Sequence, residues 1–439
     1  MTIENTDRRK FLQQAGMTVG AATVIPLLGA KGAEASGWNP GGPVSGSEPD
    51  RLFKAGRFKD ADQGYAKILR KDPKNAHANA QRGYIALLSN RFADAEKFLT
   101  KAVTVAPGDT FSKERLADCY VRQDQFARAV PLLRDTGQEA YAKQYASISG
   151  TPYEVRGAQS TRLPFKALNP LPLVEASVNG APAARFILDT GAPLAFSMET
   201  AEKAGLRAVA TSTETLGYQP VTMHHGVVGS IRIGDIEVRN VPVVWHDGEM
   251  PHALGSRQRP AGTLGSTLFH HFLATLDFGN QAFTLRRKTS AQLNGFRAEA
   301  GRANADRLPL WLADARVPCT LGSLNNDGPK VVSLNTGVEG GAGAAAVFTT
   351  EAIAERAGAL LDHKRPNLYG TMDDAIPFIV RKTSLGRMSA RDLYGYALKK
   401  QILDDRVRFQ TLANFSMEFF KPFALTFDYT NMDLYISHK

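Results

Sequence analysis

Residues Leu264–Lys288 align without a gap on Phe415–Lys439, the C-terminal end of the 439-residue chain. Phe272 meets Phe423, Thr275 meets Thr426, Asp277 meets Asp428 and Asn280 meets Asn431, all at one spacing of 151. Matches at a fixed spacing mark a duplicated unit, so the C-terminal part of the chain has to build one supersecondary pattern twice. The correspondence continues upstream. Ala201-Glu202-Lys203-Ala204-Gly205 is echoed by Ala354-Glu355-Arg356-Ala357-Gly358, and Asp189-Thr190-Gly191 by Asn335-Thr336-Gly337. Asp189 precedes Ala201 by 12 positions and Asn335 precedes Ala354 by 19, so the second copy carries a Gly- and Ala-rich insertion around residues 340–346. Two departures stand out: Asn335 lies opposite Asp189, and Ser416 opposite Gly265.

The duplicated part reads as short strands punctuated by turns. Leu173–Val178 forms one strand, Asn179-Gly180 a turn, and Ala184–Leu188 a return strand that runs into Asp189-Thr190-Gly191-Ala192. A short helix is expected at 200–206, a hairpin from Ile231–Val238 into Val241–Val244, and closing strands at Thr275–Phe278 and Phe283–Leu285. In the second copy Val331-Val332-Ser333-Leu334 leads into Asn335, after a turn at Asn325–Gly328.

A strand, a hairpin turn and a second strand ending in Asp-Thr-Gly resemble the aspartic peptidases of the retropepsin and pepsin kind. The short helix that follows and the hydrophobic-Gly step at Leu264-Gly265 add to the resemblance, which covers about residues 165–290. It implies two mostly-β lobes in tandem, 160–290 and a degenerate 300–439, with a cleft between them. Asp189 becomes the catalytic residue, with Thr190 and Gly191 in support and Asn335 at the degenerate second position. Ala192, Tyr218, His224, Gly265, Thr336 and Gly337 become binding residues, Tyr218 and His224 in a flap over 215–228. An extended peptide or protein substrate would bind as an added strand.

The chemistry of this class needs two facing carboxylates that share one proton, since like charges about 3 Å apart cannot both ionise. An amide at 335 hydrogen-bonds a water but neither accepts nor donates the shuttled proton. Three readings stay open. Two chains pair to bring Asp189 to Asp189, which leaves a homodimer open. Another acid, Glu339 being nearest in sequence, substitutes for Asn335. Or the cleft only binds peptides or protein partners.

The N-terminal part has a different period. Phe58, Phe92 and Phe126 are 34 apart, as are Ala61, Ala95 and Ala129, and Tyr65, Leu99 and Leu133; Pro73 and Pro107 share the spacing. These residues, with the small Gly83 and Ala117, resemble the tetratricopeptide repeat over 50–148, which implies paired helices and a surface for a protein partner or for docking. The Trp and Leu of the first-helix consensus are absent, with Asn79 and Arg82 in their places. Ahead of it, Arg8-Arg9-Lys10-Phe11-Leu12, an apolar stretch from Ala15 to Leu28 and Ala33-Glu34-Ala35 resemble a twin-arginine signal peptide over 1–35, followed by a linker at 36–49. That implies a periplasmic or otherwise exported protein.

Composition closes off other classes. No apolar run reaches the ~18 residues of a membrane span, so none is expected in the mature chain. The net charge of +10 comes without a like-charge block or nucleic-acid motif. The two cysteines, Cys119 and Cys319, read as small buried apolar residues. His224-His225 and His270-His271 are adjacent pairs without a metal-site spacing, and no cofactor or metal is expected. The fold class is multidomain α + β: helical repeats, then two mostly-β lobes.

Overall fold

The computed structural model describes residues 47–216, 219–247, 259–314, 316–337, 345–364, 375–399, 401 and 403–438. The segment read as a signal peptide, most of the linker, Tyr218 and Glu339 lie outside the described residues.

Helices α1 (Glu48–Lys54), α2 (Phe58–Lys71), α3 (Ala76–Leu88), α4 (Phe92–Val105), α5 (Thr110–Val121), α6 (Phe126–Asp135) and α7 (Glu139–Ala146) follow one another through short turns. Their ends follow local chemistry. Ser47 caps α1 by accepting from the Asp50 amide at 3.3 Å, and Asn75 caps α3 by accepting from Ala78 at 2.9 Å. Pro73 and Pro107 stand two residues past the ends of α2 and α4. The 34-residue spacing places Ala61, Ala95 and Ala129 on the buried stripes of α2, α4 and α6, which otherwise face solvent. Helices α3 and α5 differ: Ala78 to Leu88 is buried almost continuously, as is Arg115 to Tyr120. These two helices are covered on a second side by the β region.

Each half of the β region forms an eight-stranded sheet. In the first, the strand Leu173–Val178 turns at Asn179 and Gly180 (φ 49° and 77°), a left-handed pair closed by the Ala181 amide donating to the Val178 carbonyl at 2.9 Å. The return strand Ala184–Asp189 then runs parallel to Gly262–Gly265, with Asp189 beside Gly265. In the second half Asp327–Asn335 runs parallel to Ala413–Ser416, with Asn335 beside Ser416. The register reproduces the correspondence seen in the sequence.

A six-stranded sheet joins the halves, three strands from each: Asp306–Pro309, Asp433–His438 and Phe423–Asp428, then Phe272–Asp277, Ala282–Arg287 and Ser160–Pro164. Phe423–Asp428 and Phe272–Asp277 pair antiparallel with Thr275 opposite Thr426. These are equivalent residues of the duplicated stretch, so the local two-fold axis passes between them. Their hydroxyls meet at 2.8 Å. One apolar core runs through both halves, including Phe186, Leu188 and Leu264 of the first and Leu334, Phe415 and Phe419 of the second.

Candidate functional site

Asp189 ends a strand whose last four residues are buried, and its backbone turns at once into Thr190-Gly191. The turn aims the side chain at the second half. Asn335 ends the corresponding strand and faces back. The two loops are tied by four reciprocal hydrogen bonds. The Thr190 hydroxyl donates to the Leu334 carbonyl at 3.0 Å, and the Thr336 hydroxyl donates to the Leu188 carbonyl at 2.8 Å. Each hydroxyl also accepts the other threonine's backbone N–H, at 3.0 and 3.1 Å. Both threonines are fully buried. Every donor and acceptor here is satisfied across the boundary between halves, so the two loops hold each other in place.

Each loop also holds its own polar side chain. The Gly191 amide donates to Asp189 Oδ1 at 2.7 Å, and the Gly337 amide donates to Asn335 Oδ1 at 2.9 Å. The other atom of each group faces the opposite loop. A Cβ built on Gly337 would fall 2.0 Å from Asp189 Oδ2, and one on Gly191 2.8 Å from Asn335 Nδ2. Only glycine leaves room for this approach. Asn335 therefore presents its NH₂ group, a donor, toward the side where Asp189 presents a carboxylate oxygen, an acceptor.

Burial raises the Asp189 carboxyl to about 6, against the pull of the Gly191 amide, the Arg316 guanidinium and the amides of Ala192 and Gly337. Arg316 is 1% exposed and is the largest fully buried side chain among the described residues. Burial depresses its guanidinium to about 10, while Tyr141, Asp189 and Glu214 favour its charge. One buried cation from the second half thus lies within electrostatic reach of α7, the first-half hairpin and Asp189. A charged residue in a turn reads as solvated in sequence. No motif or spacing in the sequence marks it.

The expected binding residues divide. Gly337 packs on Asp189, as described. Ala192, Gly265 and Thr336 do not line a binding surface. Ala192 is 1% exposed and Thr336 is committed to the tie between halves. Gly265 is pressed under the loop, where a Cβ would come 2.1 Å from the Ala192 carbonyl oxygen. These three act as supports because the tight loop needs them there. His224 stacks on Trp245 with ring centroids 5.7 Å apart. Its neighbour His225 is the buried one, hydrogen-bonded to the Ser212 hydroxyl at 2.9 Å and lowered to about 4 by burial. The face through which two copies could bring Asp189 to Asp189 is occupied by the Asn335 loop of the same chain. Among the described residues no cluster of His, Cys, Asp or Glu forms a metal site, and no helix is long and apolar enough to cross a membrane.

Residues 174–268 match the Aspartyl protease family, a span that includes the Asp189 loop and Leu264-Gly265 and ends before the second half. Among solved structures the chain is similar to the aspartic proteinase from Irpex lacteus, at 10% identity and a TM-score of 0.39, covering 64% of this chain and 97% of that one. No curated protein matches. The family match supports an aspartic peptidase in general terms.

Proposed function

We propose that the chain is an exported aspartic endopeptidase with two tandem lobes, in which Asp189 activates the water that hydrolyses a peptide bond. The observation that carries this reading is the reciprocal tie between the Thr190 and Thr336 loops, which holds an acceptor and a donor face to face. Ionised Asp189 takes a proton from water as the water oxygen bonds to the scissile carbonyl carbon. The Asn335 NH₂ donates to the water or to the developing oxyanion. The carbon–nitrogen bond then breaks and the proton on Asp189 passes to the leaving amine. Asn335 supplies the hydrogen bond of a protonated partner acid without its mobile proton, so the expected enzyme is slow. The N-terminal helices belong to this reading as tetratricopeptide repeats, and residues 1–35 as its twin-arginine export signal.

The amide at 335 also favours a second reading, a pseudo-peptidase whose cleft and repeats bind peptides or protein partners without cutting them. One experiment separates the two: cleavage of an unbiased peptide library across pH 3–8 by the mature chain recovered from the periplasmic fraction, beside Asp189→Ala and Asn335→Asp. The enzyme reading expects wild-type cleavage that falls about 10²-fold or more in Asp189→Ala and rises in Asn335→Asp. A silent wild type whose Asn335→Asp variant cuts means a binding protein with an intact cleft. Silence in all three sinks the peptidase reading.

A further inference from the structure

We propose that the N-terminal helices are a built-in cover of the cleft: the chain as folded is a closed state, and a peptide reaches Asp189 only when α7 lifts from the first-half hairpin. This rests on the reading of the Asp189 loop as the hydrolytic site.

The helical region turns its most buried helices to the β region and bridges both halves. On the second half the Tyr84 hydroxyl donates to the Val407 carbonyl at 3.2 Å, and Arg122 donates to the Leu312 carbonyl at 3.2 Å. Phe58 packs edge-on against Trp311 and Phe409, at centroid distances of 5.1 and 5.0 Å. On the first half, α7 sits on the hairpin formed by Ala210–Leu216 and Gln219–Ile233 and on the adjoining strand Ile236–His246. Gln144, 2% exposed, donates to the Gly226 and Val243 carbonyls at 2.8 Å each. Tyr141, 4% exposed, meets the His225 ring edge-on at 4.5 Å. Val221, Met223 and Val244 are buried in one apolar cluster with Leu116, Tyr141 and Ala142.

An extended substrate has to run beside Asp189, between that hairpin and the second half. Arg316 shares a cavity wall with Tyr145 of α7, and Tyr141, Glu214 and Asp189 all favour its charge. Between α5, α6, α7 and the β region lies a cavity of about 60 Å³, lined among others by Tyr145, Thr267, His270 and Arg316. That holds a few waters and no length of peptide.

The contact has the character of a separable one. Besides its apolar patch it buries His225 Nδ1, under the Tyr141 ring, without a hydrogen-bond partner. Such an atom regains water when the surfaces part, which offsets part of the apolar area exposed.

The test uses the full chain carrying Met223→Cys as a reporter under the cover, with Cys119, buried inside the helical region, as an internal control. Gln144→Glu places a carboxylate against two carbonyl oxygens. It is expected to speed iodoacetamide labelling at position 223 at least tenfold at pH 7.5 while Cys119 stays slow, and to raise peptide cleavage by a similar factor. Should Gln144→Glu not fold, Gln144→Ala removes the same two hydrogen bonds without the charge. Unchanged labelling at position 223 overturns the proposal. So does faster labelling with unchanged cleavage in a chain that cuts peptides. Faster labelling in a chain that cuts nothing even as Asn335→Asp refutes the peptidase reading and leaves the movable cover standing.

Discussion

The Asp189 and Asn335 loops have the same construction. Each follows a buried strand, each sends a threonine hydroxyl to the other's preceding strand, and each holds its side-chain Oδ1 on the amide two residues on. They differ in the one atom that faces across. The comparison teaches that this frame is indifferent to charge. Its supports are backbone groups and threonines, and the oxygen that the frame holds is present in a carboxylate and an amide alike. What occupies the second atom is left to the chemistry of the cleft: a titratable acceptor on one side, a fixed donor on the other.

The largest expected effect breaks the likeness one step below the loops. Gly265 and Ser416 have almost the same backbone, φ −109°, ψ −176° and φ −112°, ψ 179°, so conformation does not explain why one is glycine. Space does. A Cβ at 265 would come 2.1 Å from the Ala192 oxygen and 2.3 Å from the Pro193 oxygen, both backbone atoms. In the second half the corresponding position has room for a side chain, and the Ser416 hydroxyl donates to the Ala345 carbonyl. Gly265→Ser should cost about 4 kcal/mol or prevent folding, because backbone has to move. Ser416→Gly should cost only about 1–2 kcal/mol, from one hydrogen bond and added chain entropy. Equal costs in urea unfolding would show that the two steps are not constructed differently.

The next effect sharpens the contrast between carboxylate and amide. Asp189 titrates near 6 in the folded chain against an ordinary 3.8, raised first by burial. A raised folded value means that the folded state holds the proton more tightly. The favourable contribution is complete below about pH 3.8 and is lost as pH rises through 6. At pH 8 the buried carboxylate therefore costs stability, on the order of 3 kcal/mol for a rise from 3.8 to about 6. Asp189→Asn makes the first loop a copy of the second. It should stabilise the chain by up to about that amount at pH 8 and by almost nothing at pH 3.5. Unfolding free energies at the two pH values check this, and a gain independent of pH would mean that burial of the charge is not its source.

Much of this arrangement was legible in the sequence because duplication is a pattern of identities. The 151-residue spacing placed Thr275 opposite Thr426, and the Asp-Thr-Gly and Asn-Thr-Gly triplets located both loops. The hairpin at Asn179-Gly180 was legible because few pairs accept left-handed backbone. The roles of Ala192, Gly265 and Thr336 were not, since a residue that supports a loop and one that touches a ligand follow the same motif. Nor was the burial of Arg316, Tyr141 and Gln144. Each is buried by contact between regions far apart in the chain, and no local period encodes which face of a repeat another domain will cover.

The smallest expected effect lies on the axis itself. A strict two-fold would make Thr275 and Thr426 interchangeable, since their hydroxyls share one hydrogen bond at 2.8 Å. Arg286 breaks the tie. It donates to the Thr275 hydroxyl at 3.2 Å while also pairing with Glu299 at 3.0 Å, and the residue equivalent to Arg286 in the second half is Ser437. Thr275→Val removes an acceptor from a partly buried cation as well as half of the shared bond, whereas Thr426→Val removes only the shared bond. The first should cost about 1.5 kcal/mol and the second about 1, within the usual range for hydrogen bonds to charged and neutral groups. The Thr275→Val/Thr426→Val double variant should cost little more than Thr275→Val alone, since one bond cannot be lost twice. Additive costs in the same unfolding assay would mean that the two hydroxyls have separate partners and that the axis is not joined through them.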